Sequence, residues 1–113
     1  MVEFGCGNGR DSLFFASAGI NVIALDQSTV TINKNHEKGK DIPNIKFIEQ
    51  DFTNIYTSLS EEEIGSVYSR FTLHSLDREG YYRAIKSAYK LLSSGGRFFI
   101  EARTLNDLSL IHI

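Results

Sequence analysis

The sequence predicts an α/β fold built on a doubly wound, mostly parallel sheet. Short apolar runs typical of strands alternate with longer, more polar stretches of helical periodicity along the 113 residues. The connections between successive runs are long enough to hold a helix, as parallel strands require. Sheets of this kind bind ligands beyond the carboxyl ends of their strands, where the strand order reverses. We therefore expect the functional residues at the strand-to-helix junctions.

The first half of the chain contains three predicted strands, at residues 1–4, 21–26 and 45–51. A helix over residues 11–18 separates the first two strands and is closed by Gly19, since glycine is favoured just after a helix. A second helix runs to Lys38, because Ser28 can cap its first turn and Gly39 follows its end.

The second half contains the fourth and fifth predicted strands, at residues 66–71 and 97–102. The helix between them has Asp77 as its cap and ends at Gly95 and Gly96. Its apolar residues fall on one stripe of the helix surface, which we expect to be buried: Tyr81, Ile85, Ala88, Tyr89 and Leu92.

Composition excludes several classes of protein. No stretch approaches the roughly 20 apolar residues of a membrane helix, and one cysteine cannot form an internal disulfide. The net charge of −2 gives no support to a nucleic-acid partner, and His36 and His112 do not suggest a metal site. We predict one cytoplasmic domain with no membrane insertion, no metal and no nucleic-acid partner, and leave its oligomeric state open.

The strongest functional signal is the junction after the first strand, Glu3-Phe4-Gly5-Cys6-Gly7-Asn8-Gly9. Alternate glycines let the backbone turn sharply and approach a ligand that a Cβ would block. The helix that follows offers free N–H groups, and Glu3 supplies a carboxylate beside the turn. A dinucleotide-binding loop would require glycine at position 10, where Arg10 stands instead.

Two further strand ends carry carboxylates. Asp26 follows the second strand and can accept both hydroxyl protons of a ribose bound over the glycine loop. Asp51 follows the third strand, where a carboxylate can accept a hydrogen bond from an exocyclic adenine amine, and Phe52 can pack on the ring. Each aspartate alone fits an ordinary turn, but the three junctions together favour a nucleoside-type cofactor.

These motifs resemble those of the class I S-adenosylmethionine-dependent methyltransferases, over roughly residues 1–105. The glycine junction is similar to the family signature E/D-x-G-x-G-x-G, whose backbone holds the methionine portion of S-adenosyl-L-methionine. The resemblance implies a Rossmann-like methyltransferase fold and directs attention to the fourth-strand segment that faces the methyl group, from Ser69 to His74. The cofactor-binding residues that it implies are Glu3, Gly5, Gly7, Gly9, Asp26, Gln27, Asp51, Phe52 and Ser69.

Against this family the chain is expected to be incomplete. The helix that usually precedes the first strand is missing, the first strand is clipped, and the sixth and seventh strands have no counterpart. We assign residues 1–107 to a partial S-adenosylmethionine-binding domain. We interpret residues 108–113 as a non-native tail, since their reverse translation is similar to a transposon-end sequencing adaptor.

The expected reaction is in-line methyl transfer to a small-molecule or glycan acceptor. Positioning is its main requirement, and a general base is needed only when the acceptor must lose a proton. His74 is the first candidate base and Tyr68 the second, although a helix-capping or packing role is the more ordinary explanation for His74. Arg70 can bind an anionic group of the substrate, or it can simply form an ion pair. Cys6 is expected to be a small side chain behind the loop rather than a nucleophile.

Two other functions remain open from the sequence. The first is an inactive module that binds S-adenosylmethionine and serves a partner. The second is a fragment of an NAD-dependent oxidoreductase, against which Arg10 counts.

Overall fold

A computed structural model describes residues 1–55, 63–70 and 76–101. These residues form five strands: β1 (Val2–Phe4), β2 (Val22–Asp26), β3 (Ile45–Glu49), β4 (Ile64–Arg70) and β5 (Leu92–Glu101). They also form three helices: α1 (Arg10–Ser17), α2 (Thr29–Gly39) and α3 (Arg78–Leu91).

The five strands form one parallel sheet in the order β3-β2-β1-β4-β5. β1 lies in the centre and pairs with both β2 and β4, so the direction in which the chain adds strands reverses between β1 and β4. The predicted doubly wound α/β fold is therefore confirmed. The reversal places the carboxyl ends of β1 and β4 side by side, which is where a fold of this kind binds ligands.

The helices cover both faces of the sheet, because alternate side chains of each strand point to opposite faces. Val2, Phe4 and Val67 belong to one apolar cluster, which also includes Ala84 and Ala88 of α3. The other cluster packs against α1 and α2 and is made of Cys6, Ala16, Val22, Ala24, Ile32, Ile45 and Phe47. Glu3 lies between Val2 and Phe4 and so faces α1.

The end of α3 differs from the sequence prediction. The helix stops at Leu91, four residues before the two glycines, because Leu92 adopts an extended conformation and begins β5. The glycines instead lie where the register of β5 against β4 shifts, with Gly95 at a φ of 81°. Tyr89, predicted to be buried, is 60% exposed, since the buried side of α3 carries small residues such as Ala84 and Ala88.

Gly39 is the last residue of α2 rather than the residue after it. A Cβ at this position would lie 2.9 Å from the ring of Phe47, so glycine is required there by the packing of α2 on β3. Further along, β3 ends at Glu49, and Asp51 therefore follows the strand instead of closing it.

Several predictions fall outside the described residues. His74 and the rest of the segment 71–75 are among them, as is the tail 108–113. Within the described part of the chain, no helix is long and apolar enough to cross a membrane.

Candidate functional site

The glycine loop after β1 has left-handed backbone conformations at alternate residues. The φ angles of Gly5, Gly7 and Gly9 are 72°, 52° and 79°. A Cβ at Gly9 would meet Phe47 at 3.2 Å and Asn35 at 3.3 Å, so this glycine allows the loop to approach β3 and α2. A Cβ at Gly7 would meet no atom within 4 Å, which means that this residue faces open space. Packing therefore requires glycine at position 9, whereas the glycine at position 7 lies beside open space.

Backbone hydrogen bonds fix the path of this loop. The N–H of Cys6 donates to the carbonyl of Leu25 at 2.8 Å, which continues the ladder between β1 and β2 by one residue. The N–H of Gly9 then donates to the carbonyl of Cys6 at 2.9 Å and closes a tight turn. Asn8 Oδ1 accepts from the N–H of Arg10 at 3.0 Å, which satisfies one amide at the start of α1.

Asp26 joins the glycine loop to the end of β2. Its Oδ2 accepts a hydrogen bond from the Gly7 N–H at 3.1 Å, and its Oδ1 accepts one from the Ser28 N–H at 2.9 Å. Each carboxylate oxygen has a second lone pair, so two acceptor positions remain for a bound molecule. Gly7 and Asp26, which the sequence predicted to lie in one site, are thus in direct contact.

Glu3 is a buried carboxyl group at the base of the same site. It is 3% exposed and accepts a hydrogen bond from the hydroxyl of Ser12 on α1. Burial raises the pKa of Glu3 from 4.5 to about 7; the charges of Asp11 and Asp26 add to the rise, and the Ser12 hydrogen bond opposes it. A cation bound nearby would favour its ionised form.

An open cleft of about 390 Å³ lies at the carboxyl ends of β1 and β4. It is lined by Glu3, Gly5, Cys6, Gly7, Asn8, Arg10, Asp11 and Arg70. This position, at the reversal of strand order, is the one that the fold class predicts for a ligand.

Arg70, the last residue of β4, lines the cleft together with the glycine loop. Its Nη1 lies 3.5 Å from Asp11 Oδ1, and its Nε lies 3.2 Å from Glu101 Oε2. The hydroxyl of Tyr68 donates to the other oxygen of Asp11 at 3.1 Å. An anionic substrate group would therefore compete with carboxylates that already contact Arg70.

Tyr68 and Cys6 are poorly suited to proton or covalent chemistry. Burial, reinforced by the charge and hydrogen bond of Asp11, raises the pKa of Tyr68 to about 12. Burial, reinforced by Glu3 and Asp26, also raises the pKa of Cys6 to about 12. Both groups stay protonated near neutral pH, so Tyr68 is disfavoured as a base and the packing interpretation of Cys6 is supported.

The predicted adenine pair divides between surface and core. Asp51 is exposed, and its Oδ1 accepts from the N–H and the hydroxyl of Thr53 at 2.9 and 2.7 Å. Phe52 is only 6% exposed and stacks on Phe4 with the ring centroids 5.1 Å apart. Phe52 thus packs within the core, where its ring is covered, and the geometry gives no support to its stacking on a ligand.

Ser69 and Gln27 also differ in their access to the cleft. Ser69 has no exposed surface, and its hydroxyl donates to the carbonyl of Phe4 at 3.5 Å. Gln27 is exposed beside Asp26. Of the predicted cofactor-binding residues, the structure brings Glu3, Gly5 and Gly7 to the cleft and joins Asp26 to them, and Arg70, predicted to bind the substrate, lines the same cleft.

Two residues of α2 that were not predicted from the sequence contact the loop. Asn35 is fully buried and donates from Nδ2 to the carbonyl of Gly7 at 2.7 Å. Lys38 donates from Nζ to the carbonyl of Asn8 at 3.0 Å. Their spacing of three residues places both on one side of the helix, but asparagine and lysine in a polar helix look like surface residues in the sequence.

Within the described ranges, no three His, Cys, Asp or Glu side chains are grouped so as to hold a metal ion. The site consists of the glycine loop, the carboxyl groups of Glu3, Asp11 and Asp26, and two arginines, Arg10 and Arg70. Such a set suits a ligand that carries hydroxyl groups and positive charge, because carboxylates accept hydrogen bonds and attract cations.

Comparison with known proteins gives one relative by sequence and several by structure. Phosphoethanolamine N-methyltransferase 1 of Triticum aestivum is 34% identical over 101 residues, which cover 88% of this chain and 20% of that protein. The glycopeptide N-methyltransferase MtfA complexed with S-adenosyl-L-methionine has a TM-score of 0.78 and 21% identity over 88% of this chain and 42% of its own. The CcbJ methyltransferase of Streptomyces caelestis has a TM-score of 0.76 and 26% identity over 88% of this chain and 41% of its own.

The chain thus spans a fifth of the length of its wheat relative and less than half of these two structures. At 21% identity the likeness to MtfA concerns the fold alone. Residues 1–96, which include the whole glycine loop, Asp26 and most of the sheet, match the family described as a methyltransferase domain. The chain belongs to the methyltransferase domain family.

Proposed function

We propose that this chain binds S-adenosyl-L-methionine and takes part in methyl transfer to a small-molecule or glycan acceptor in the cytoplasm. The observation that carries the proposal is the hydrogen bond of 3.1 Å from the Gly7 N–H to Asp26 Oδ2. It joins the glycine loop to the carboxylate of the next strand, at the point where the sheet reverses its strand order.

The residues of the cleft fit this cofactor. Open space at Gly7 leaves room for a ligand against the loop backbone, and Asp26 has acceptor positions for the two hydroxyls of a ribose. Asp51 Oδ2 accepts no hydrogen bond from the described residues and can receive an exocyclic amine. The carboxylates of Glu3 and Asp11 suit a molecule that carries an ammonium and a sulfonium group.

The cofactor, when bound, supplies a methyl group on a sulfonium that is already a good leaving group. The chain therefore has to orient two molecules in line rather than activate the methyl group. The loop and Asp26 would hold one molecule, while Arg70 and Asp11 would border the path of the other. His74, the first candidate base, lies outside the described residues, and its role stays a prediction.

A small acceptor is favoured over nucleic acid by the charges beside the cleft. Arg70 is already in contact with the carboxylates of Asp11 and Glu101, and Glu3 lies buried beside them. These carboxylates would repel the charges of a phosphate backbone. The name of the wheat relative, a phosphoethanolamine N-methyltransferase, also supports a small acceptor.

Calorimetric titration of the chain with S-adenosylhomocysteine and with NAD tests the proposal. We expect binding of the first ligand only. Asp26→Ala should weaken that binding at least about tenfold, since it removes acceptors for both the loop and the ribose. Asp41→Ala, a substitution at an exposed aspartate away from the cleft, serves as the matched control. Binding of NAD instead would identify an oxidoreductase fragment and overturn the proposal.

A second measurement separates an enzyme from an inactive binding module. The chain is incubated with S-adenosyl-L-methionine and a panel of small amines, phosphorylated amino alcohols and sugars, and formation of S-adenosylhomocysteine is followed. Acceptor-dependent turnover that Asp26→Ala abolishes is the expected result. Tight binding of the cofactor without turnover on any acceptor would favour the inactive module.

A further inference from the structure

Two carbonyl groups of the glycine loop accept hydrogen bonds from side chains of α2. Asn35 Nδ2 donates to the carbonyl of Gly7 at 2.7 Å, and Lys38 Nζ donates to the next carbonyl, that of Asn8, at 3.0 Å. The two donors are three residues apart, so they lie on the same side of the helix. One helix therefore holds two successive peptide groups of the loop.

The environment of Asn35 shows that its position is tightly constrained. The side chain is fully buried, Gly9 approaches it so closely that a Cβ there would lie 3.3 Å away, and its Nδ2 also lies 3.8 Å from Cys6 Sγ. Its Oδ1 is buried and has no hydrogen-bond partner among the described residues. An unpaired buried acceptor destabilises a fold. The hydrogen bond that Asn35 Nδ2 donates to the Gly7 carbonyl offsets this loss of stability.

These contacts determine which way the loop peptides face. The C=O and N–H of a trans peptide point in opposite directions. Since Asn35 holds the Gly7 carbonyl on the side of α2, the Asn8 N–H of the same peptide points away from α2. Asn8 is itself one of the residues that line the cleft. The Gly7 N–H meanwhile donates to Asp26.

We infer that Asn35 and Lys38 are positioning residues of the cofactor site, which hold the carbonyls of Gly7 and Asn8 and so fix the loop that receives the amino-acid end of the cofactor. The inference rests on the proposed function, because it names how this chain shapes that binding site. Neither residue lines the cleft, and both act through the loop.

The test compares two ligands that differ in the part meeting the loop. S-adenosylhomocysteine carries the amino-acid end, whereas 5′-methylthioadenosine lacks it. Asn35→Ala should lower the affinity for S-adenosylhomocysteine about tenfold and change the affinity for 5′-methylthioadenosine by no more than about twofold. Asn33→Ala, at an exposed asparagine of the same helix, is the matched control and should change neither affinity.

Lys38→Met provides a variant whose folding is not in question, because Lys38 is exposed. It should lower the affinity for S-adenosylhomocysteine about threefold, because the lost hydrogen bond is on the surface. Lys38→Arg should restore most of that affinity. Lys34→Met, at an exposed lysine one turn earlier, is the control. Hydrogen exchange of the Gly7 and Gly9 amides without ligand should accelerate in Asn35→Ala and not in Asn33→Ala.

The outcomes separate the two proposals. If the wild-type chain binds S-adenosylhomocysteine and Asn35→Ala binds it equally tightly, the positioning role is overturned while the proposed function stands. An equal loss of affinity for both ligands also overturns it, since that result indicates general damage to the fold. If the wild-type chain binds neither ligand, both proposals fall.

Discussion

Glu3 is the residue whose chemistry the burial of the site changes most. Its pKa of about 7 lies well above the ordinary 4.5, chiefly because the carboxyl is buried. Between these two values the folded chain keeps a proton that the unfolded chain has lost. The contribution of Glu3 to stability is therefore fully present below about pH 4.5 and is lost as the pH rises through about 7.

We expect the free energy of unfolding to fall by up to about 3 kcal/mol across this window through Glu3 alone. Glu3→Gln, which mimics the protonated form and keeps an acceptor for Ser12, should flatten the dependence and stabilise the chain at pH 8. Urea denaturation at pH 5 and pH 8 measures the effect. Glu49→Gln, at an exposed strand residue, should leave the dependence unchanged. If Glu3→Gln left the pH dependence of the free energy of unfolding unchanged, the attribution of that dependence to Glu3 would be wrong.

Gly7 and Gly9 should respond differently to alanine. Gly9→Ala combines a φ of 79° with contacts of 3.2–3.3 Å to Phe47 and Asn35, and we expect a loss of about 2–3 kcal/mol of stability. Gly7→Ala faces open space at a φ of 52°, so it should cost only about 1 kcal/mol. The Cβ of that variant would instead occupy space proposed for the cofactor and weaken S-adenosylhomocysteine binding.

Urea denaturation and calorimetric titration of both variants check this difference. Equal losses of stability would show that the two glycines are not distinguished by their surroundings.

Residue by residue, the sequence predicted the parts of the site that local chemistry specifies. Alternate glycines and the Asp26 carboxylate follow from turn geometry and strand ends, and the structure joins them through one hydrogen bond. Phe52 and Asn35 could not be predicted in this way. Whether an aromatic residue after a strand faces solvent or core, and whether an asparagine of a polar helix is buried, depends on tertiary packing.

At the scale of elements, α2 is the helix that supports the loop, and its start is fixed by a cap that can be tested. Ser28 accepts a hydrogen bond from the Thr31 N–H at 3.2 Å through its side chain, while its own N–H donates to Asp26. Ser28→Ala removes the first bond and keeps the second. We expect a loss of about 1 kcal/mol of stability with the affinity for S-adenosylhomocysteine within about twofold of wild type.

Thr29→Ala, at the exposed first residue of the helix, is the control for this experiment, which needs urea denaturation and one titration. A tenfold loss of affinity in Ser28→Ala would instead show that the cap itself maintains the site.

Element types could be predicted from the sequence, but some element ends could not. Apolar alternation and helical periodicity predicted, in the correct order, the five strands and three helices of the described residues. The end of α3 was wrong because β5 pairs with β4 from Leu92 onward, and that pairing stops the helix before the glycines do. Gly39 was misplaced for a similar reason, since the ring of Phe47 and not a helix stop requires glycine there.

At the scale of the whole molecule, one sheet connects the cleft to the distant helix α3. Phe4 and Leu25 belong to the apolar cluster that α3 covers, and they directly precede Gly5 and Asp26 in the chain. The glycine loop therefore cannot be held in place without the strands on which α3 packs. This connection predicts that the described part of the chain unfolds as one cooperative unit.

Ligand binding tests whether the described part of the chain unfolds cooperatively. S-adenosylhomocysteine at one hundred times its dissociation constant should add about 2.7 kcal/mol to the free energy of unfolding. If α3 opens only with the rest of the fold, the amides of Ala84 and Ala88 should then exchange about a hundredfold more slowly, although neither lies at the cleft. Asp26→Ala at the same ligand concentration should show a much smaller effect. Protection confined to the glycine loop, α1 and α2 would contradict the prediction, because it would mean that α3 opens independently of the sheet.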